Sequence, residues 1–253
     1  MMAERAIFKG AILLGSFPIP IQVVKATKDH DVAFHEYHST DLARTGRKSI
    51  CKGCGKDLES AEIIKGVEVS KGNIVCFSKE EMESLPLKST REIAIERYVG
   101  IGELNPLMFE SAYYVTPSED YAVKAFTQFV KGLQKLHKIA IGKVAMRSRE
   151  QLCALQPLNG GLVMNTMYYQ DEIRGMPQTK TAEVNDGEVE LISQVISKFS
   201  KPFEHGVYTD DYTDAVNTMV DAKMKGQPLP VMQMAANKEA PALEDALKDL
   251  LSK

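Results

Sequence analysis

Through the first two thirds of the chain, apolar residues come in short runs separated by turn-forming residues. Over residues 7–25 the runs at 11–14 and 19–24 flank Gly15-Ser16-Phe17-Pro18, which predicts two short strands joined by a turn. Residues 63–77 repeat the pattern around Ser70-Lys71-Gly72-Asn73 and predict a hairpin. Similar runs predict strands over 92–99, 107–115, 139–147 and 162–168. Short strands punctuated by Gly and Pro favour an antiparallel barrel or sandwich, so the expected class is α+β, mainly β. The strands are not each followed by a helix, which argues against a doubly wound parallel sheet.

The helical signals lie elsewhere. Ser78-Lys79-Glu80-Glu81 is a capping-box sequence opening a short helix that Pro86 stops. Ser118-Glu119-Asp120 is expected to open a longer one. There Phe126, Phe129, Val130, Leu133 and Leu136 share one face, and Lys124, Lys131, Lys135 and Lys138 share the other. In the strand that follows, Lys143, Arg147 and Arg149 have one parity and Ala140, Gly142, Val144 and Met146 the other, which predicts a cationic strand face. A helix over 187–200 carries Ile192, Val195, Ile196 and Phe199 at helical spacing and ends before Pro202. Another is capped by Thr209 and closes at Gly226. After a linker, Pro241 opens a short terminal helix with Leu243, Leu247, Leu250 and Leu251 on its apolar side. Such a helix either docks on a partner chain or folds back on its own domain.

Composition changes this picture only when charge is resolved along the chain. The 253 residues are 44% hydrophobic, enough for a core, and the net charge is −3. A protein that binds nucleic acid through bulk charge is basic, so the average argues against that class. The average conceals a segregation. Residues 1–150 carry 22 basic and 19 acidic side chains, residues 151–253 carry 9 and 15. The span 124–149 holds seven basic residues and no acid, and 44–56 holds Arg44, Arg47, Lys48, Lys52 and Lys56 with none. Between 183 and 221 the sign inverts, with nine acids against Lys198 and Lys201. Blocks this pure suit surfaces that face different partners, although each alone also fits a solvated face.

Four cysteines are too few for a disulfide framework, no apolar run is long enough to span a membrane, and the N-terminus lacks a signal peptide's apolar segment. A soluble protein of a reducing, cytoplasmic compartment is expected. No GxxxxGK[ST], HExxH, GxSxG or GxGxxG sequence occurs, which removes the common phosphate-loop and hydrolase chemistries. One metal-like constellation is present. Cys51-Lys52-Gly53-Cys54 is half of a zinc knuckle, preceded by His30, His35 and His38. His38 is the nearest third ligand, with His35 or Cys76 as a fourth; reduced surface thiols are the plainer reading. A redox CxxC belongs at a helix N-terminus in a βαβ unit, which this Gly- and Lys-rich stretch does not resemble.

Several stretches together resemble prokaryotic Ku. Gly10-Ala-Ile-Leu-Leu-Gly-Ser-Phe-Pro-Ile-Pro-Ile-Gln-Val-Val-Lys-Ala-Thr27 is similar to that family's opening pair of strands. Ile64-Lys-Gly-Val-Glu-Val-Ser-Lys-Gly72, Glu103-Leu-Asn-Pro-Leu-Met-Phe109 and Tyr113-Tyr-Val-Thr-Pro117 resemble its "VKGYEY", "EIDPIYF" and "YYLAP" stretches. Ile141-Gly-Lys-Val-Ala-Met-Arg-Ser-Arg-Glu150 and Gly161-Leu-Val-Met-Asn-Thr-Met-Tyr-Tyr-Gln-Asp-Glu-Ile-Arg174 continue the order. The resemblance spans about residues 7–226. It implies a β-barrel core over 1–180 with a bridge arm at about 30–90, a C-terminal helical arm over 187–226, and a linker with a short terminal helix over 227–253. It further implies a homodimer that closes as a ring on double-stranded DNA ends, recruits an ATP-dependent repair ligase for non-homologous end joining, catalyses nothing and requires no cofactor. The lysine-rich tail of many bacterial members has no counterpart in residues 242–253.

A ring that reads no sequence needs cations for phosphates and no base-reading motif. A bore of about 25 Å has a perimeter near ~80 Å, so each subunit must span about 40 Å, roughly a dozen extended residues. The expected phosphate contacts are Arg44, Arg47 and Lys48 on the arm, Lys143, Arg147 and Arg149 on the barrel, and Lys124 and Lys131 on the helix. The alternative from another class is a zinc-dependent enzyme or redox protein built on Cys51, Cys54 and His38. A third is an interaction module working through the acidic helices, which predicts no DNA binding.

Overall fold

A computed structural model describes residues 5–28, 32–84, 91–146, 149–183 and 185–229. Contacts divide the chain into two compact units, residues 1–29 with 35–175 and residues 30–34 with 176–253.

The first unit holds a closed seven-stranded barrel. β1 (Phe8–Leu14) and β2 (Phe17–Lys25) form the expected hairpin. The chain then leaves the barrel. It forms two short strands, β3 (Ser49–Ile50) and β4 (Asp57–Leu58), and the expected hairpin of β5 (Lys65–Ser70) and β6 (Asn73–Phe77). Next comes α1 (Lys79–Glu83), whose Ser78 and Glu81 exchange the reciprocal bonds of a capping box. Pro86 lies outside the described residues. The chain returns as β7 (Glu92–Gly100), continues through β8 (Phe109–Pro117) and α2 (Val123–Leu136), and completes the barrel with β9 (Lys138–Met146), β10 (Arg149–Leu158) and β11 (Gly161–Met167). The strand order is β1-β2-β8-β11-β10-β9-β7. All pairs in the barrel are antiparallel except β1 with β7, the parallel pair that closes it. The antiparallel barrel expected from the sequence therefore carries one parallel seam.

β9 is buried on both faces, which explains its nearly unbroken apolar run. Ala140, Val144 and Met146 join the main core with Ile12, Ile21, Ile93, Leu155 and Met164. Ile139 and Ile141 enter a second cluster with Ala154 and Met167, covered by Leu104, Met108 and Phe109. Gly142 is required here. A Cβ on it would run into the backbone carbonyl of Ala94 on β7, next to the register shift between Ile95 and Arg97. On α2, Phe126, Phe129, Val130 and Leu133 are buried in the main core as their spacing predicts.

Three local expectations change. Leu136 is 68% exposed rather than core, because the helix ends there and His137 turns the chain in the left-handed region at φ 51°. Ser118 does not cap α2, since a 3-10 turn over Asp120–Ala122 intervenes. β10 was not expected as a strand at all. It pairs with β11 from Leu152 to Leu158, while its pairing with β9 stops at Leu155, two residues before Pro157, which has no N–H to give.

The second unit contains α3 (Asp186–Phe199) and α4 (Asp211–Met224). Asn185 and Glu188 form a capping box on α3. Asp210, rather than Thr209, caps α4, accepting from the N–H groups of Tyr212 and Thr213 at 3.1 Å each. The α3 residues Ile192, Ile196 and Phe199 are exposed. The terminal helix expected after Pro241 lies outside the described residues.

Candidate nucleic-acid interface

The excursion between β2 and β7 is the first place where cations gather. Among its described residues, 32–84, none is buried, and only Val32, Cys51 and Leu58 are partly covered. Its first part is a loop in which Tyr37 and Arg44 form an isolated antiparallel bridge, with His38 N–H donating to Ala43 and Thr45 N–H to Glu36. Arg44 donates from its guanidinium to His35 Nδ1 at 3.0 Å, so it is anchored on the loop rather than extended freely. Lys48 pairs with Asp57 at 2.8 Å and Lys56 with Glu62 at 2.7 Å. Arg47 and Lys52 have no ion pair among the described residues and stand as the arm's available charges.

The same loop contains the cysteine knuckle. β3 and β4 are joined by Cys51 N–H donating to Lys56 O at 2.9 Å and Gly55 N–H to Cys51 O at 2.8 Å. Gly55 takes a φ of 74°, which a residue with a side chain adopts only under strain. The N–H of Cys54, then that of Gly53, point at the Cys51 sulfur and hold its thiol below the ordinary cysteine range. His38 is engaged elsewhere: Nδ1 meets Asp41 at 2.9 Å and Nε2 meets Thr40 at 3.1 Å. Among the described residues no three His, Cys, Asp or Glu side chains come together as a metal site, so His38 is not brought to Cys51 and Cys54.

On the barrel the cationic face is not as the strand parity predicts. β9 ends at Met146, and Arg149 is the first residue of the next strand, opposite Met146. Arg149 therefore has the parity of the inward-facing residues, at the end of its strand, and Lys143 has the other. Arg147 lies outside the described residues. Lys143 sits between Glu150 at 3.5 Å and Glu96 at 3.7 Å, and the carboxylate of Glu150 first, then that of Glu96, raises its pKa above the usual lysine range. Arg149 lies 3.7 Å from Glu172. Beside them Glu110 accepts from the buried Thr166 hydroxyl at 3.1 Å and from Gln151 at 3.2 Å. Arg149, Glu110, Glu150, Gln151, Tyr169 and Glu172 line a shallow depression. Sequence reasoning missed these acids because they come from β7, β8, β10 and the segment after β11, which are brought together by a pairing that the local pattern does not state.

Lys124, Lys131 and Lys135 on α2 are exposed, with no ion pair among the described residues. Ion pairs within reach of solvent, such as those of Lys143 and Arg149, are weak, so a phosphate can displace the carboxylates, but their negative charge opposes it. Arg47, Lys52, Lys124, Lys131 and Lys135 have no such ion pair among the described residues.

No described helix is long and apolar enough to cross a membrane. A family model for the Ku70/Ku80 beta-barrel domain matches residues 13–191. The chain is 35% identical over 248 residues to the non-homologous end joining protein Ku of Archaeoglobus fulgidus, covering 96% of this chain and 97% of that one. It is 32% identical over 252 residues to the protein of the same name from Anaeromyxobacter sp., covering 98% and 82%. To non-homologous end joining protein Ku 2 of Saccharopolyspora erythraea it is 30% identical over 253 residues, covering 98% and 81%. The barrel, the exposed excursion between its second and third strands in chain order, and these full-length likenesses agree: the chain belongs to the prokaryotic Ku family, whose members are not enzymes.

Proposed function

We propose that two copies of this chain close as a ring on double-stranded DNA ends and present that complex to an ATP-dependent repair ligase in non-homologous end joining. The observation that carries the ring is the arm. It leaves the barrel after β2, returns at β7, and keeps Phe34, Leu42, Ile64, Val67, Val69 and Ile74 exposed. On β5 and β6, Val67 lies opposite Val75, and Val69 and Phe77 share their face. A two-stranded hairpin with this much uncovered apolar surface is marginal alone and suits association with a second copy. The absence of base-reading motifs and the scattered exposed cations fit phosphate contacts without sequence preference.

In this reading Arg47, with Arg44 and Lys48, contacts phosphate from the arm, Lys124 and Lys131 from α2, and Lys143, Arg147 and Arg149 from the barrel. Family membership displaces the zinc-dependent enzyme and redox readings. Binding to linear duplex and to covalently closed circles, compared at one salt concentration, tests the proposal. Linear duplex is expected to be bound and circles to be bound weakly; equal affinity for both overturns it.

A further inference from the structure

The Cys51–Cys54 knuckle takes no part in the phosphate contacts proposed above. Its loop is closed by the two backbone bonds between Cys51 and residues 55 and 56, and Gly55 supplies the left-handed turn. The Cys51 sulfur folds back under the loop, so that a Cβ on Gly53 would lie 3.9 Å from it. Cys54 is exposed and Cys51 partly so, which leaves both sulfurs reachable from outside the chain.

The missing ligands are not offered by this chain's other described donors. His38 is held by Asp41 and Thr40, His35 by Arg44, Cys76 lies beside Gly66 on the β5–β6 hairpin, and Cys153 is buried in the barrel. Zn²⁺ in a structural site takes four ligands in a tetrahedron, and thiolates suit it best. Two thiolates per chain are half of that set. Resting on the two-copy assembly above, we infer that Cys51 and Cys54 of one copy and the same pair of a second copy together bind one Zn²⁺, a staple between the two arms.

Charge supports this arrangement. Four thiolates and one Zn²⁺ leave two negative charges, and Arg47 and Lys52 from each copy stand close in sequence to offset them. On binding, each of the four thiols gives its proton to solvent and its sulfur lone pair to the metal; no oxidant or reductant is involved.

Stoichiometry separates this site from one completed within a chain. Full-length protein is exposed to ZnCl₂, freed of excess metal on a desalting column, and analysed for zinc, with oligomeric mass and linear-duplex binding measured on the same sample. The expected result is one zinc per two chains, reduced at least tenfold in a Cys51→Ser/Cys54→Ser double variant whose circular dichroism keeps the wild-type barrel signal. One zinc per chain overturns the shared site, as does absence of zinc from a dimeric protein. Zinc at one per two chains without binding of linear duplex upholds the staple and overturns the ring instead. As a second readout, Co²⁺ in place of Zn²⁺ is expected to give the absorption of a tetrahedral four-thiolate site, and a spectrum of mixed nitrogen and sulfur ligation overturns it.

Discussion

At the scale of single residues, the most instructive side chain is Lys143. Its position on β9 follows from strand parity, yet Glu150 and Glu96 already occupy its ammonium. If Lys143 faces DNA, those carboxylates compete with phosphate. Glu150→Gln is then expected to tighten duplex binding severalfold at low salt, read by a band shift; unchanged or weaker binding would move Lys143 out of the interface. Arg47→Glu is expected to weaken binding to all duplex sequences alike and to lower the salt slope by about one per copy, since each phosphate contact contributes nearly one. Loss confined to one sequence would point to base readout. Cys153 is the opposite of Cys51: burial pushes its thiol up to about 12. Its folded pKa is raised, so its stabilising contribution is complete below the free thiol's pKa of about 8.5 and is lost as pH rises toward the folded value. Barrel stability should therefore fall by up to about 1.4 kcal/mol per pH unit above pH 9 from this group, and Cys153→Ala should remove that component in denaturant titrations at pH 8 and pH 10.

At the scale of elements, most of the barrel was legible because each hairpin is a local pattern bounded by turn residues. β1 with β2 in the barrel, and β5 with β6 outside it, were readable in this way. β10 was not, because Leu152, Cys153, Ala154 and Leu155 run together without alternation between charged and proline-containing ends. With β10 unread, Arg149 was assigned to the wrong strand and face, and the acids around Lys143 could not be foreseen. The parallel seam of β1 and β7 joins segments separated by the whole arm, so no local signal specifies it. The cysteine pair was legible as a half-site, but the side chains that engage His38 depend on the loop's own turn. The α2 face was legible from its spacing and supplies a direct test: Phe129→Ala should cost about 3–5 kcal/mol, and a smaller loss in equilibrium unfolding would mean that the helix is not anchored in the barrel core. Gly142→Ala should also destabilise the barrel, because its added methyl meets backbone rather than a movable side chain.

At the scale of the whole molecule, the net charge of −3 misleads only as long as it is treated as uniform. Acid-free basic stretches are confined to 44–56 and 124–149, while the second unit is acidic, so under the proposed function phosphate attraction is local and general adhesion to nucleic acid is avoided. A ring adds what charge cannot supply. Electrostatic contacts weaken steeply as salt rises, whereas a closed ring threaded on DNA stays linked at any salt until it reaches an end. The most direct measurement follows from that difference. The protein is loaded on linear duplex, both DNA ends are then blocked with bulky caps, and the complex is washed at high salt. Retention on capped DNA with release from uncapped DNA is the predicted result; equal loss from both would contradict the ring.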